Sequence, residues 1–100
     1  MNLDQVRTKR REIELLVRQR GGVHIRVLIP GPADVDVYFL VTFADEVKSR
    51  LRGLDYFGVL DDLERDLRRL LACRVGVGDA DGESANTAFD ERARRSAVDL

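Results

Sequence analysis

Two segments with the period of a β-strand lie on either side of a short connection that contains Pro30-Gly31-Pro32, and this arrangement limits the fold more than any other feature of the chain. In the first, Val23, Ile25, Val27 and Ile29 alternate with His24, Arg26 and Leu28, the pattern of a strand that buries one face. The second, Val35 to Phe43, is rich in β-branched and aromatic residues. Parallel strands need a crossover of about a dozen residues or more, so two strands this close pair antiparallel, with Val27 and Ile29 facing the core. Proline presets φ at the first central position of a turn and glycine accepts φ > 0 at the second. Ile29 to Pro32 therefore reads as a type II turn.

Helical patterns flank the hairpin. Asn2 and Gln5 have the spacing of a capping box, and Leu3, Val6, Ile13, Leu16 and Val17 recur near the helical period. Gly21-Gly22 supplies a left-handed stop, which predicts one helix over about 3–20. Asp45 to Arg52 reads as an exit loop, and Leu60, Leu63, Leu67, Leu70 and Leu71 mark a second long amphipathic helix whose outer face carries Asp61, Asp62, Glu64, Arg65, Arg68 and Arg69. Arg74 to Gly78 is a short third strand, placed at an edge because Gly76 and Gly78 weaken it. Gly78 to Asn86 reads as loop, followed by a last helix from about Thr87 to Val98. The expected architecture is α/β of the α+β kind: a small mixed or antiparallel three-stranded sheet packed against two long helices and a C-terminal helix, in a single domain over 1–100.

The 100 residues are 44% hydrophobic and 35% charged, enough for one modest core. A formal net charge of -1 argues against a general nucleic-acid binder, whose footprint is an excess of Lys and Arg. The distribution is uneven. Arg7, Lys9, Arg10, Arg11, Arg18 and Arg20 make the first helical region basic, and Asp79, Asp81, Glu83, Asp90 and Glu91 make the C-terminal part acidic, as an oriented surface for a charged partner would require. Cys73 is the only cysteine, so no intramolecular disulfide forms. With no signal segment and no membrane span visible, a cytoplasmic location is expected.

Asp34 and Asp36 stand two apart in a strand-like segment, which places both side chains on one face roughly 7 Å apart along the backbone. Such a pair can converge on a hard cation, as carboxylates do on Mg²⁺ in phosphoryl transfer. Aspartates after a Pro-Gly-Pro turn also serve simply to accept turn hydrogen bonds. His24 reads as a solvent-side residue of its strand, Cys73 as a small, partly buried filler, and Tyr38 as a packing residue.

The order of elements, together with Lys9-Arg10-Arg11, Val23-His24-Ile25-Arg26-Val27, Phe39-Leu40-Val41-Thr42-Phe43, Asp61-Asp62-Leu63-Glu64 and the closing Arg92-Ala93-Arg94-Arg95-Ser96-Ala97-Val98, resembles the minimal nucleotidyltransferases of the polymerase-beta-like superfamily over almost the whole chain. The resemblance implies transfer of a nucleoside monophosphate from ATP to a protein hydroxyl, with Mg²⁺ held by three carboxylates. It also implies a HEPN-type toxin as partner, the nucleotidyltransferase being the antitoxin. On this reading Asp34 and Asp36 are the catalytic and metal-binding residues, and Gly31 contacts the nucleotide.

The chain departs from the family pattern in three places. Pro30-Gly31-Pro32 stands where the family has a Gly-Ser phosphate cradle, and its prolines lack two backbone donors. Aligning on Phe39 to Phe43 puts Asp36 and Tyr38 at the two aspartate positions, whereas aligning on Asp-Val-Asp puts Asp34 and Asp36 there. Only the second supplies two carboxylates. Gly76 stands at the last carboxylate position, with Asp79 three residues further on. The expected function is therefore a nucleotidyltransferase-fold antitoxin with weak or lost catalysis and retained partner binding; the alternative is a non-enzymatic interaction module that binds no nucleotide.

Overall fold

The computed structural model describes residues 1–32, 34–50, 54–80 and 95–100, apart from the side chains of 48 and 54–57. The described elements are α1 (Leu3–Arg7), α2 (Arg10–Gln19), β1 (Gly22–Leu28), β2 (Val37–Phe43), α3 (Asp45–Arg50), α4 (Leu54–Leu71), β3 (Val75–Asp79) and β4 (Val98–Asp99). They form a four-stranded mixed sheet in the order β3-β2-β1-β4. β1 pairs antiparallel with β2 and with β4, and β2 pairs parallel with β3 across the helical connection. This is an α+β fold with one strand more than the sequence indicated.

The hairpin is antiparallel as expected, with Val27 opposite Phe39 and Leu28 opposite Tyr38. Val27 is buried and Ile29 packs partly buried against the core. The turn between them is not type II. Such a turn needs φ > 0 at its third position, here Gly31, and its usual closing N–H would come from Pro32, which has none. Gly21 is the one described glycine with positive φ, and the Ile29–Pro30 bond is cis. Closure comes later: the Val35 N–H donates to the Pro32 carbonyl at 3.1 Å and the Gly31 N–H to the Asp36 carbonyl at 3.1 Å. β2 consequently starts at Val37 rather than Val35.

Val23, expected on the buried face, is 65% exposed. The pairing steps from Gly22 opposite Phe43 to His24 opposite Thr42, so Val23 is the extra residue of a β-bulge. From Ile25 onward the inward alternation holds.

The single first helix is two helices. Asn2 and Gln5 do form the capping box. The Thr8 hydroxyl then donates to the Gln5 carbonyl at 2.6 Å, occupying the acceptor that the Lys9 N–H would use in a continuing helix, and Lys9 bonds back to Val6 instead. α2 starts afresh at Arg10 and stops at Gly21, whose φ of 91 is left-handed. A Cβ at Gly21 would lie 2.6 Å from Val47 Cγ2, so this position also lets α3 approach. α3 corrects the exit loop expected over Asp45 to Arg52. Its carboxylates Asp45 and Glu46 sit in the first turn, where the helix dipole favours negative charge, and Ser49 Oγ donates to the Asp45 carbonyl.

β2 is buried on both faces, which explains its nearly unbroken apolar run. Val37, Phe39, Val41 and Phe43 join Ile25, Val27 and Val75 from the sheet, Ile13 and Val17 from α2, and Leu63, Leu67 and Leu71 from α4 in the main core. Tyr38, Leu40 and Ala97 form a second cluster. Burying a Leu or Phe side chain contributes about 1.5–3 kcal/mol, so the main core carries most of the stability.

The loop over Gly78 to Asn86 and the helix over Thr87 to Val98 lie largely outside the described residues; the β-strand extends to Asp79, residues 95–96 are helical, and Val98 belongs to β4 rather than to a helix. Three side chains supplement the two-residue pairing of β4: Arg26 donates to the Ala97 carbonyl at 2.8 Å, Arg7 to the Asp99 carbonyl at 3.2 Å, and His24 Nε2 lies 2.9 Å from Asp99 Oδ1. No helix among the described residues is long and apolar enough to cross a membrane.

Candidate functional site

The sequence candidates converge at one end of the sheet, where the loop after β1 meets the turn before β3. Met1, Pro30, Gly31, Asp34, Asp36 and Arg74 line a shallow, open depression there. Asp34 and Asp36 are both exposed, as a solvent-facing site requires. Neither lies in a regular strand, however: the lost turn delays β2 to Val37 and leaves both aspartates in the loop. The strand spacing that would place their carboxylates on one face therefore does not apply.

Asp36 is tied to the segment before β3. Its Oδ2 accepts the Arg74 N–H at 3.1 Å, and its own N–H donates to the Arg74 carbonyl at 2.9 Å. This reciprocal pair extends the β2–β3 ladder by one step, so one carboxylate oxygen of Asp36 already has a protein donor. Asp36 also acts on Cys73. Burial pushes the thiol above its ordinary pKa, the charge of Asp36 raises it further, and the N-terminal ammonium opposes both. Cys73 packs partly buried against the main core, and its Sγ lies 3.9 Å from Met1 Sδ. Gly31 is placed at the depression, but its amide is bound to the Asp36 carbonyl, and neither flanking proline has a donor to offer a phosphate.

Two residues along the same ladder, Tyr38 pairs with Gly76, and beyond it Leu40 pairs with Gly78. Tyr38 is 8% exposed, and its ring lies over both glycines: a Cβ at Gly76 would fall 2.9 Å from Tyr38 Cδ2, and one at Gly78 would strike the hydroxyl end. Two of the carboxylate positions that the resemblance assigns through Phe39 to Phe43 thus hold an aromatic ring and the glycine beneath it. Tyr38 is a packing residue, as expected, but its role as the cover of Gly76 depends on the parallel pairing of β2 with β3, which no local pattern encodes.

The resemblance implies Mg²⁺ held by three carboxylates, and the described residues bring two, Asp34 and Asp36, to the depression. A metal centre for phosphoryl transfer needs convergent oxygen donors in open space. At the position of the third carboxylate, Gly76 has no side chain and lies beneath the Tyr38 ring. Among the described residues no group of three or more His, Cys, Asp or Glu side chains comes together in a way that could hold a metal ion. Asp79 forms the end of β3, opposite Val41.

No protein-family model matches the chain, and no curated protein is significantly similar to it. Among solved structures, the chain is similar to a "putative minimal nucleotidyltransferase", with 27% identity over 100% of this chain and 97% of that one, at a TM-score of 0.62. The likeness spans every element described above, and the fold is accordingly nucleotidyltransferase-like.

Proposed function

We propose that this chain is a nucleotidyltransferase-fold protein of antitoxin type, which acts by binding a HEPN-type protein and in which transfer of a nucleoside monophosphate from ATP to a protein hydroxyl is weak or lost. The observation that carries this reading is the Tyr38 ring seated on Gly76, on a fold that matches a minimal nucleotidyltransferase from end to end. A scaffold that keeps its whole architecture while an aromatic ring fills the reactive position has kept what a partner recognises, since fold and site chemistry are separable. A lone cysteine without a disulfide partner suits the reducing cytoplasm, where such a pair would act. Asp34 and Asp36 are the carboxylates left to contact a cation, and Gly31 lines the same depression.

Two measurements test the reading together. Co-expression with a HEPN-type protein should give a complex that survives size-exclusion chromatography. Incubation of that complex with labelled ATP and Mg²⁺ should label the partner poorly. Loss of a phosphate cradle and of a metal carboxylate, at about 3 kcal/mol each, slows transfer roughly ten-thousandfold relative to an intact site. Brisk Mg²⁺-dependent labelling that Asp34→Ala or Asp36→Ala abolishes would overturn the inactive half of the proposal. Failure to form any complex would overturn the antitoxin half and leave an interaction module with no nucleotide involvement.

A further inference from the structure

The basic residues of the first third of the chain divide into two sets. Arg7 donates to the carbonyls of Asp99 and Leu100, Arg10 pairs with Glu14, Arg20 reaches Asp62 and Asp66 on α4, and Arg26 donates to the Ala97 carbonyl. Arg7, Arg20 and Arg26 tie separate elements together, and Arg10 pairs within its own helix. Lys9, Arg11 and Arg18 are exposed and have no acidic partner among the described residues.

Arg11 and Arg18 share a helix face with Leu15, since positions i, i+4 and i+7 lie on one stripe. That stripe is turned away from the core side of α2, which Ile13 and Val17 mark. Leu15 is 59% exposed. Arg18 also lines a cleft together with Val23, the residue that the β-bulge turns outward; the two carboxylates of that cleft, Glu14 and Asp99, lie against Arg10 and His24. A single exposed aliphatic residue means little. Here two of the most exposed apolar side chains of the described residues stand beside the same unpartnered arginine, and one of them is exposed by a backbone irregularity of the kind that re-aims side chains.

We infer that the outer face of α2 and the bulged start of β1 dock an acidic segment of a protein partner, with carboxylates on Arg11 and Arg18 and an apolar side chain against Leu15 and Val23. Charge complementarity names the occupant: unpaired guanidinium groups favour carboxylates, with which they form bidentate hydrogen bonds. A protein fits better than a nucleic acid, because the face offers aliphatic anchors, no aromatic platform for bases, and a chain of net charge -1. The inference rests on the binding role proposed above only for the identity of the partner.

The test uses the whole chain, labelled with ¹⁵N, titrated with a synthetic amphipathic peptide carrying Glu and Leu on one face. A Lys/Leu peptide and a single-stranded RNA oligomer serve as the other arms. Amide shifts should cluster at residues 11, 15, 18 and 23 with the acidic peptide alone. Arg11→Glu/Arg18→Glu should weaken binding tenfold or more, and Leu15→Ala severalfold, both with unchanged circular dichroism, because all three side chains are exposed. Shifts centred elsewhere, equal binding by the charge-reversed variant, or tighter binding of RNA at this face would each overturn the inference. A HEPN-type protein that binds wild type and charge-reversed variant alike would overturn this surface and leave the antitoxin reading standing. Peptide binding here, with no complex formed by the HEPN-type protein, would do the reverse.

Discussion

The ring of Tyr38 lies against Gly76, its paired neighbour in the parallel β2–β3 ladder, so closely that a Cβ on residue 76 would sit 2.9 Å from the ring edge. The two residues are mutually dependent: the glycine makes room for the ring, and the ring covers the glycine's bare backbone. Gly76→Ala should therefore destabilise the fold by about 1–3 kcal/mol through overpacking, partly offset by about 0.4–1 kcal/mol from lower unfolded-state entropy. In a Tyr38→Ala background the same substitution should cost little or become favourable. Urea denaturation of the four proteins measures the coupling, expected at about 1 kcal/mol or more. Additive effects would show that the ring does not rest on this glycine.

Val23 and Ile25 are alike in sequence pattern but differ in the structure. Val23 is bulged into solvent, while Ile25 is 9% exposed and belongs to the main core. Val23→Thr should change stability by no more than about 0.5 kcal/mol, and Ile25→Ala should cost about 2–5 kcal/mol. Thermal melts check the contrast, because about 1 kcal/mol moves the midpoint of a domain this size by roughly 4–8 °C.

The features legible in the sequence were those set by local chemistry. The Asn2–Gln5 cap, the Gly21 stop, the leucine stripe of α4 and the antiparallel hairpin each follow from residues close together in the chain. What escaped depends on competition or on distant contacts. The Thr8 hydroxyl divides the first helix without any glycine or proline to signal it, and α3 takes shape where Val47 packs over Gly21. β4 has only two residues and is held by Arg7, His24 and Arg26 from elsewhere. At the candidate site the backbone of Asp34 and Asp36 departs from the expected strand, because Gly31 does not take the positive φ of a type II turn and β2 starts only at Val37.

Arg20 links the end of α2 to α4 through contacts of 3.4 Å to Asp62 and 3.2 Å to Asp66. Its side chain is 34% exposed, so solvent screens both pairs, and together they contribute only about 1 kcal/mol. Arg20→Ala should lower stability by that order, and the loss should shrink in 1 M salt, where the screening length falls to about 3 Å. A cost several times larger and insensitive to salt would assign Arg20 a packing role instead.

Asp36 faces both the depression and the Cys73 thiol, which makes the thiol a reporter of the candidate site. Burial is the larger cause of the raised thiol pKa and the Asp36 charge the second, while the N-terminal ammonium pulls the other way. A group whose folded pKa is raised contributes stability that is fully present below its unfolded pKa. That contribution is lost as pH rises through the folded value, so Cys73 favours the folded state up to mildly alkaline pH. Because the thiolate is the nucleophile, the alkylation rate with iodoacetamide should rise at higher pH than for an unstructured cysteine peptide. Asp36→Asn removes one cause and leaves the larger, so the midpoint of the pH–rate profile should fall part of the way toward the peptide value. Circular dichroism controls for the lost acceptor of the Arg74 N–H. A wild-type midpoint at or below that of the peptide, or one that Asp36→Asn leaves in place, would show that Asp36 does not act on the thiol across this end of the sheet.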